Sequence, residues 1–132
     1  KEDFVQRVKD ITGGKLCDVV YDSIGKDTFP KSLDCLKPLG LFVTFGNASG
    51  PVTGVDLGIL GAKGSLYVTR QTLFTHIATR EATQQMADDL FAAVGSGAVK
   101  IRIDQRYPLA EVANAHRDLE ARRTTGSSVL LP

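Results

Sequence analysis

The chain has 132 residues, of which 42% are hydrophobic and 23% charged, and its formal net charge is +1 at pH 7. This length and composition fit one compact globular domain, and the balance of 16 basic and 15 acidic residues gives no electrostatic reason to expect a nucleic-acid partner. No apolar run approaches the roughly 20 residues of a membrane span, and no secretory signal precedes the first helical pattern, so we expect no membrane partner.

The spacing of Phe4, Val8 and Ile11 predicts an amphipathic helix over residues 3–12, ended by glycines at 13 and 14. A run rich in β-branched residues predicts a buried strand at 16–21. A second helix is then expected up to residue 36, with Asp27 or Thr28 as its cap and residues 38–40 closing it.

The next predicted elements are a second buried strand at 41–45 and a loop at 48–64 with one helical turn near 57–60. A third strand is predicted from Ser65 to Thr69, followed by a helix over 80–94 capped by Thr79. A strand at 101–103, a helix over 110–122 and a strand at 128–131 complete the chain. Strands that alternate with helices and are almost continuously apolar indicate an α/β fold with a parallel sheet covered on both faces.

The chain has two cysteines and two histidines, which are residue types that often bind metal ions. Cys17 and Cys35 lie in apolar segments without the paired spacing of a zinc site or a disulfide framework. We expect both to be free thiols in a reducing cytoplasm, with no metal site. His76 and His116 are isolated in the sequence, and a packing role is favoured for His116 because it falls on an apolar helical face. No catalytic residue is predicted.

Ligands of open α/β sheets bind beyond the carboxyl ends of the strands. The first predicted strand ends in the sequence DSIG and the second in FGNASG. Glycines there allow the backbone to approach a flat ligand, and serine or asparagine can donate hydrogen bonds. The alternative, a purely conformational role, is favoured for any single one of these glycines. The G-x-G-x-x-G phosphate motif, a P-loop and a nucleophile elbow are all absent from the sequence.

Three segments carry a resemblance to a known family. They are VVYDSIGKDTFPKSLDCLKPLGLFVTFGNASGPVTG, KGSLYVTR and YPLAEVANAHRDLEARRTTGSSVLLP. Together they resemble the carboxyl-terminal region of NADPH:quinone oxidoreductases, the zinc-free, zeta-crystallin-like members of the medium-chain dehydrogenase/reductase superfamily. The similarity extends over almost the whole chain.

This resemblance implies a division of the chain into two parts. Residues 1–97 would be the later strands and helices of a Rossmann cofactor-binding domain, without its glycine-rich loop. Residues 98–132 would be a returning segment that in the family packs on a GroES-like domain, which this chain lacks.

The resemblance also implies a binding site for NADPH. Ser23 and Gly25 would lie near the adenosine end of the cofactor, and Arg122 would reach back to it. The residues expected along the nicotinamide ribose and ring are Phe45, Gly46, Asn47, Val68, Thr69 and Arg70. The alternative for Arg122 is a solvated cation in the last turn of a helix.

The implied activity is hydride transfer from NADPH to a quinone or a related conjugated carbonyl compound, in a cytoplasmic enzyme of which this chain alone is inactive. Two alternatives stay open: a non-enzymatic dimerisation or structural nucleotide-binding module, and a reductase of enones or alcohols. The resemblance further implies a homodimer, paired through the edge strand from Ser65 to Thr69.

Overall fold

The computed structural model describes residues 2–132, which form two compact units that divide in sequence between His76 and Ile77. The first unit contains α1 (Phe4–Thr12), β1 (Cys17–Asp22), α2 (Phe29–Ser32), β2 (Leu36–Thr44), α3 (Gly58–Ala62), β3 (Tyr67–Arg70) and α4 (Leu73–His76). A 3-10 turn, Leu33–Cys35, joins α2 to β2. The second unit contains α5 (Arg80–Gly95), β4 (Ile103–Pro108), a 3-10 turn (Leu109–Glu111), α6 (Val112–Glu120) and β5 (Ser127–Leu131).

The first unit is built on a three-stranded sheet of order β1-β2-β3, and both neighbouring pairs are parallel. The predicted α/β class with a parallel sheet is therefore confirmed. Because parallel strands end at the same edge of a sheet, the segments that follow β1, β2 and β3 meet there.

A small apolar core lies on one face of this sheet. Its buried members are Phe29, Leu33, Leu36, Phe42 and Leu66. The Phe29 and Phe42 rings pack edge to face with centroids 5.5 Å apart, which anchors α2 over the centre of β2. Burial of each such side chain contributes about 1.5–3 kcal/mol to stability.

The first helix ends as predicted, and it begins at Phe4, one residue later than predicted. The Asp3 carboxylate accepts hydrogen bonds from the backbone N–H groups of Val5 and Gln6, and Gly13 ends α1 in the left-handed region. Thr79 likewise caps α5 by accepting a hydrogen bond from the N–H group of Ala82.

The predicted start of the second strand is wrong. β2 begins at Leu36 rather than at residue 41, and Leu36 is a core residue at its beginning rather than the end of a helix. The register against β1 shifts after the pair Cys17–Leu36, and Leu39 takes a left-handed φ of 62° within the irregular stretch. The proline and glycine at 38 and 40 therefore lie in a strand irregularity, where such residues are tolerated. β2 ends at Thr44, so Phe45 lies beyond it.

The third strand is also displaced from its predicted bounds. Ser65 has φ 56°, a left-handed conformation outside the β region, and β3 runs over Tyr67–Arg70. Arg70 consequently belongs to the strand, whereas Ser65 does not.

The second unit has a two-stranded parallel sheet of β4 and β5 with α6 between them in sequence. The strand predicted at 101–103 instead occupies Ile103–Pro108, because its parallel pairing with β5 begins at Ile103 and Ser127. The helix predicted over 110–122 is shorter, since its first turn is 3-10 and residues 121 and 122 lie beyond its end. Among residues 2–132, no helix is both long enough and apolar enough to cross a membrane.

Candidate ligand site at the carboxyl edge of the sheet

The turn after β1 is organised by one buried carboxylate. Asp22, the last residue of β1, is 4% exposed. Its Oδ1 accepts hydrogen bonds from the N–H groups of Ile24 (2.8 Å) and Gly25 (3.0 Å). Its Oδ2 accepts hydrogen bonds from the hydroxyl of Thr28 (2.7 Å), the N-cap residue of α2, and from the hydroxyl of Ser32 (2.9 Å) within α2. This carboxylate therefore fixes the turn that carries Ser23 and Gly25.

The same contacts determine the charge of Asp22. Burial alone would raise the pKa of this carboxyl, but the hydrogen bonds from Gly25, Thr28, Ser32 and Ile24 together lower the pKa below its ordinary value. Asp22 is thus a buried anion at neutral pH, stabilised by neutral donors.

The turn after β2 packs directly against the turn after β1. The N–H groups of Ala48 and Ser49 donate to the carbonyl oxygens of Ser23 (3.2 Å) and Ile24 (2.8 Å). The Ser49 hydroxyl also donates to the Ile24 carbonyl oxygen at 2.8 Å. Parallel hydrogen bonding thus continues past the ends of both strands.

Two predicted glycines are required by this packing. A Cβ atom on Gly46 would lie 2.2 Å from the carbonyl oxygen of Ser23, and one on Gly25 would lie 2.5 Å from that of Gly50. Gly25 also has φ 91°, in the left-handed region. The conformational role considered for these glycines is therefore present in the structure.

Arg70 joins the end of β3 to the end of β2. One guanidinium nitrogen donates to the Thr44 hydroxyl (3.0 Å) and to the Gly46 carbonyl oxygen (3.1 Å). Arg70, Asn47 and Val68 also line a cavity of about 360 Å³ whose other walls are mainly apolar. The remaining lining residues are Phe29, Thr44, Pro51, Val52, Val55, Leu57 and Leu60.

A second cavity, of about 470 Å³, is also lined in part by Arg70. It is lined by Phe45, Arg70, Gln71, Thr72, Leu73, Phe74 and His76. Neither Gln71 nor His76 was predicted to have a functional role. The strand signal from Ser65 to Thr69 could have pointed to them, because they follow the carboxyl end of that predicted strand by two and seven residues.

Arg122, the remaining predicted site residue, belongs to the second unit. It is exposed and follows the end of α6 with φ 55°. Its N–H group donates to the Leu119 carbonyl oxygen, and that of Arg123 donates to the Asp118 carbonyl oxygen. This is the hydrogen-bonding pattern of a Schellman end, in which the left-handed position usually holds glycine.

The polar groups at this edge suit a dinucleotide better than a metal ion. Ser23 and Asn47 are exposed, and their side chains make no hydrogen bond within residues 2–132, so they can bind ribose or amide groups. The same part of the chain has no cluster of three or more metal-ligating side chains. Cys17 and Cys35 are free thiols, and burial raises the pKa of the Cys35 thiol, which disfavours the reactive thiolate.

The family model described as "Zinc-binding dehydrogenase" matches residues 1–130 of this chain. Quinone oxidoreductase of Pseudomonas aeruginosa is 61% identical over 131 residues, which are 99% of this chain and 40% of that protein. A 2-haloacrylate reductase of a Burkholderia species is 46% identical over 99% of this chain and 40% of its own length.

Solved structures show the same similarity. The crystal structure of Escherichia coli quinone oxidoreductase complexed with NADPH matches with a TM-score of 0.89 and 54% identity. The match covers 100% of this chain and 41% of that one. The chain thus spans about two fifths of the length of these relatives, and its parallel sheet corresponds to a carboxyl-terminal Rossmann half-domain.

Proposed function

The chain belongs to the zinc-binding dehydrogenase family, and we propose that it forms part of an NADPH-dependent oxidoreductase that transfers hydride to quinones or related conjugated carbonyl compounds. The similarity to quinone oxidoreductases and to the NADPH complex of the Escherichia coli protein supports this proposal. We further propose that the enzyme is cytoplasmic and works without zinc.

The observation that carries the proposal is the convergence of three strand ends at one edge of the sheet. Asp22 and Gly46 fix the first two turns against each other, and Arg70 joins the third strand end to the second. The edge therefore presents the exposed groups of Ser23, Phe45 and Asn47 on a rigid backbone.

In this proposal the chain binds and orients, while the bound cofactor supplies the hydride chemistry. Ser23 and Gly25 would bind near the adenosine, and Arg122 would contribute a charged contact. Phe45, Gly46 and Asn47 would lie along the nicotinamide ribose, with Val68, Thr69 and Arg70 beside the ring. Since rate depends on positioning to within about an ångström, a rigid edge is the contribution that such a half-domain can make.

Reduction of a conjugated acid or enone is the second candidate. The 46% identity to a 2-haloacrylate reductase favours it specifically, because that relative is named for a conjugated acid. Both candidates share the cofactor and differ only in the acceptor.

The test measures NADPH oxidation by the full-length protein that contains this chain, with p-benzoquinone and 2-chloroacrylate as alternative acceptors. We expect steady turnover with the quinone exceeding that with the acrylate, and NADPH binding detectable by calorimetry. Preference for the acrylate would favour the second candidate. NADPH binding without turnover of either acceptor would favour the non-enzymatic nucleotide-binding module.

The purified 132-residue chain should give no turnover with either acceptor. It lacks the glycine-rich phosphate loop, and it spans only 40% of its relatives' length, so it cannot enclose the nicotinamide. Turnover above the uncatalysed background by this chain would contradict our assignment of it as an incomplete site.

A further inference from the structure

We propose that His76 is a catalytic residue that delivers the proton accompanying hydride transfer, and that the cavity beside it binds the quinone ring. This inference rests on the proposed function. It is motivated by a hydrogen-bonded chain of side chains that leads from the carboxyl end of β3 into the 470 Å³ cavity.

The chain begins at Thr69, which the proposed function places beside the nicotinamide. The amide nitrogen of Gln71 donates to the Thr69 hydroxyl at 2.7 Å. The amide oxygen of Gln71 lies 2.7 Å from Nε2 of His76. An amide oxygen only accepts hydrogen bonds, so Nε2–H of His76 is the donor in this contact and Nδ1 is the ring nitrogen left for a second partner.

The walls of the cavity suit a flat ring with an oxygen atom at each end. Phe45 and Phe74 supply apolar surface, and both are largely exposed, at 51% and 80%. Arg70 uses one of its guanidinium nitrogens for Thr44 and Gly46, which leaves further N–H donors for one carbonyl oxygen of a quinone. His76 would face the other.

The overall reaction consumes one proton, which such a donor can supply. A quinone oxygen that accepts the hydride, with its two electrons, forms an O–H bond while the C–H bond of the reduced nicotinamide breaks, and the quinone becomes a hydroquinone monoanion. The remaining oxyanion then gains a proton from Nδ1–H of the His76 imidazolium, which becomes neutral and regains its proton from the proton that the net reaction takes up from solvent. Gln71 keeps the imidazole in the required tautomer and orientation, so it is a positioning residue.

The test uses the full-length protein, NADPH and p-benzoquinone, with His76→Gln as the variant and His116→Gln as its matched control. Positioned general acids typically contribute 10²- to 10⁴-fold, and we expect His76→Gln to lower kcat about 100-fold with the KM for NADPH unchanged. His76→Gly should recover activity when imidazole is added. His116→Gln should behave like the unmodified protein.

Gln71→Ala tests the positioning role separately. It should lower kcat less than His76→Gln and should have no effect in a protein that already carries His76→Gln. A readout independent of turnover is the NMR signal of the His76 ring, which should shift when p-hydroquinone is added, while that of His116 stays unchanged.

An unchanged kcat in His76→Gln, in a wild-type protein that does reduce quinones, would overturn this inference and leave the proposed function standing. A raised KM for quinone at constant kcat would also overturn it, since His76 would then only bind. No turnover by the wild-type protein would instead remove the proposed function itself.

Discussion

Gly46 is a residue at which the turns after β1 and β2 pack closely against each other. A side chain there would collide with the backbone of Ser23 rather than with a movable side chain, because the contact of 2.2 Å is to a carbonyl oxygen. The glycine thus fixes how closely β1 and β2 approach at their carboxyl ends, and that spacing determines where Ser23 and Asn47 are presented.

We predict that Gly46→Ala separates the two turns and destabilises the full-length protein by about 2 kcal/mol or more, within the range of overpacking substitutions. Gly61→Ala is the matched control, because Gly61 is helical and has nothing within 4 Å of the added Cβ. That control should raise the free energy of unfolding by up to about 1 kcal/mol. Thermal and denaturant unfolding measure the stability of both variants. Equal changes in the free energy of unfolding for Gly46→Ala and Gly61→Ala would contradict the close contact at Gly46.

Asp22 is the second residue whose removal should be diagnostic. Asp22→Ala leaves two backbone donors and two hydroxyls without their acceptor, and we predict a loss of about 3 kcal/mol or more. Asp22→Asn should cost less, because an amide can accept from the backbone and donate to hydroxyl oxygens that reorient. Equal free energies of unfolding for Asp22→Ala and Asp22→Asn would mean that the hydrogen bonds of Asp22 do not stabilise this turn.

The pH dependence of stability separates the charge of Asp22 from its geometry. The folded state lowers the pKa of Asp22, so its stabilising contribution is present above the unfolded value, near pH 4, and is lost as the pH falls through the lower folded pKa. We predict that the stability difference between the wild type and Asp22→Asn shrinks as the pH falls below about 4. A difference that is constant from neutral to acidic pH would contradict this.

At the scale of elements, the sequence predicted some helix ends, which depend on local signals. It did not predict the starts of β2 and β3, which depend on pairing between distant residues and on irregular backbone. Gly13 and Thr79 allowed the end of α1 and the start of α5 to be predicted, since caps act within one turn. The start of β2 depends on the pairing of Cys17 with Leu36 across 19 residues, and on an irregular stretch that no local pattern announces. The start of β3 depends on the left-handed backbone at Ser65, a residue type that does not signal that conformation.

The candidate site shows the same division. The turns bearing Ser23 and Asn47 were predictable because glycine and polar residues follow apolar runs. Asp22 was visible in the sequence, but its burial and four hydrogen bonds depend on how α2 returns over β1. His76 was missed because its link to Thr69 passes through Gln71 and exists only once the chain turns after β3.

The end of α6 offers a prediction at this scale. Arg122 occupies a left-handed position where glycine is usual, and a non-glycine residue costs about 1–2 kcal/mol there. We predict that Arg122→Gly raises the free energy of unfolding by about 1 kcal/mol and weakens NADPH binding by about 10- to 100-fold, because a charged hydrogen bond is lost. Arg122→Ala should weaken binding equally without the gain in stability. Unchanged NADPH affinity in both variants would leave Arg122 as a solvated cation.

At the scale of the whole molecule, the boundary between the two compact units does not coincide with the boundary predicted from the sequence. The units divide between His76 and Ile77, whereas the predicted boundary at 97/98 separates a cofactor domain from a returning segment. α5 belongs to the second compact unit by its internal contacts, and its assignment to the cofactor domain stays a prediction. The free edge of β3, within the first unit, is the feature that bears on assembly.

Among residues 2–132, β3 pairs with β2 on one side only, and Tyr67 and Val68 are 61% and 42% exposed. An apolar edge strand is an aggregation hazard unless it is covered or paired, so we predict that the full-length protein is a two-fold dimer joined through β3, now bounded by Tyr67–Arg70. Light scattering at micromolar concentration should report a dimer. Tyr67→Pro removes a backbone donor and should yield monomer or aggregate, whereas Tyr67→Ala keeps that donor and should remain dimeric. A monomeric wild type, or a dimeric Tyr67→Pro, would mean that another part of the protein covers this edge.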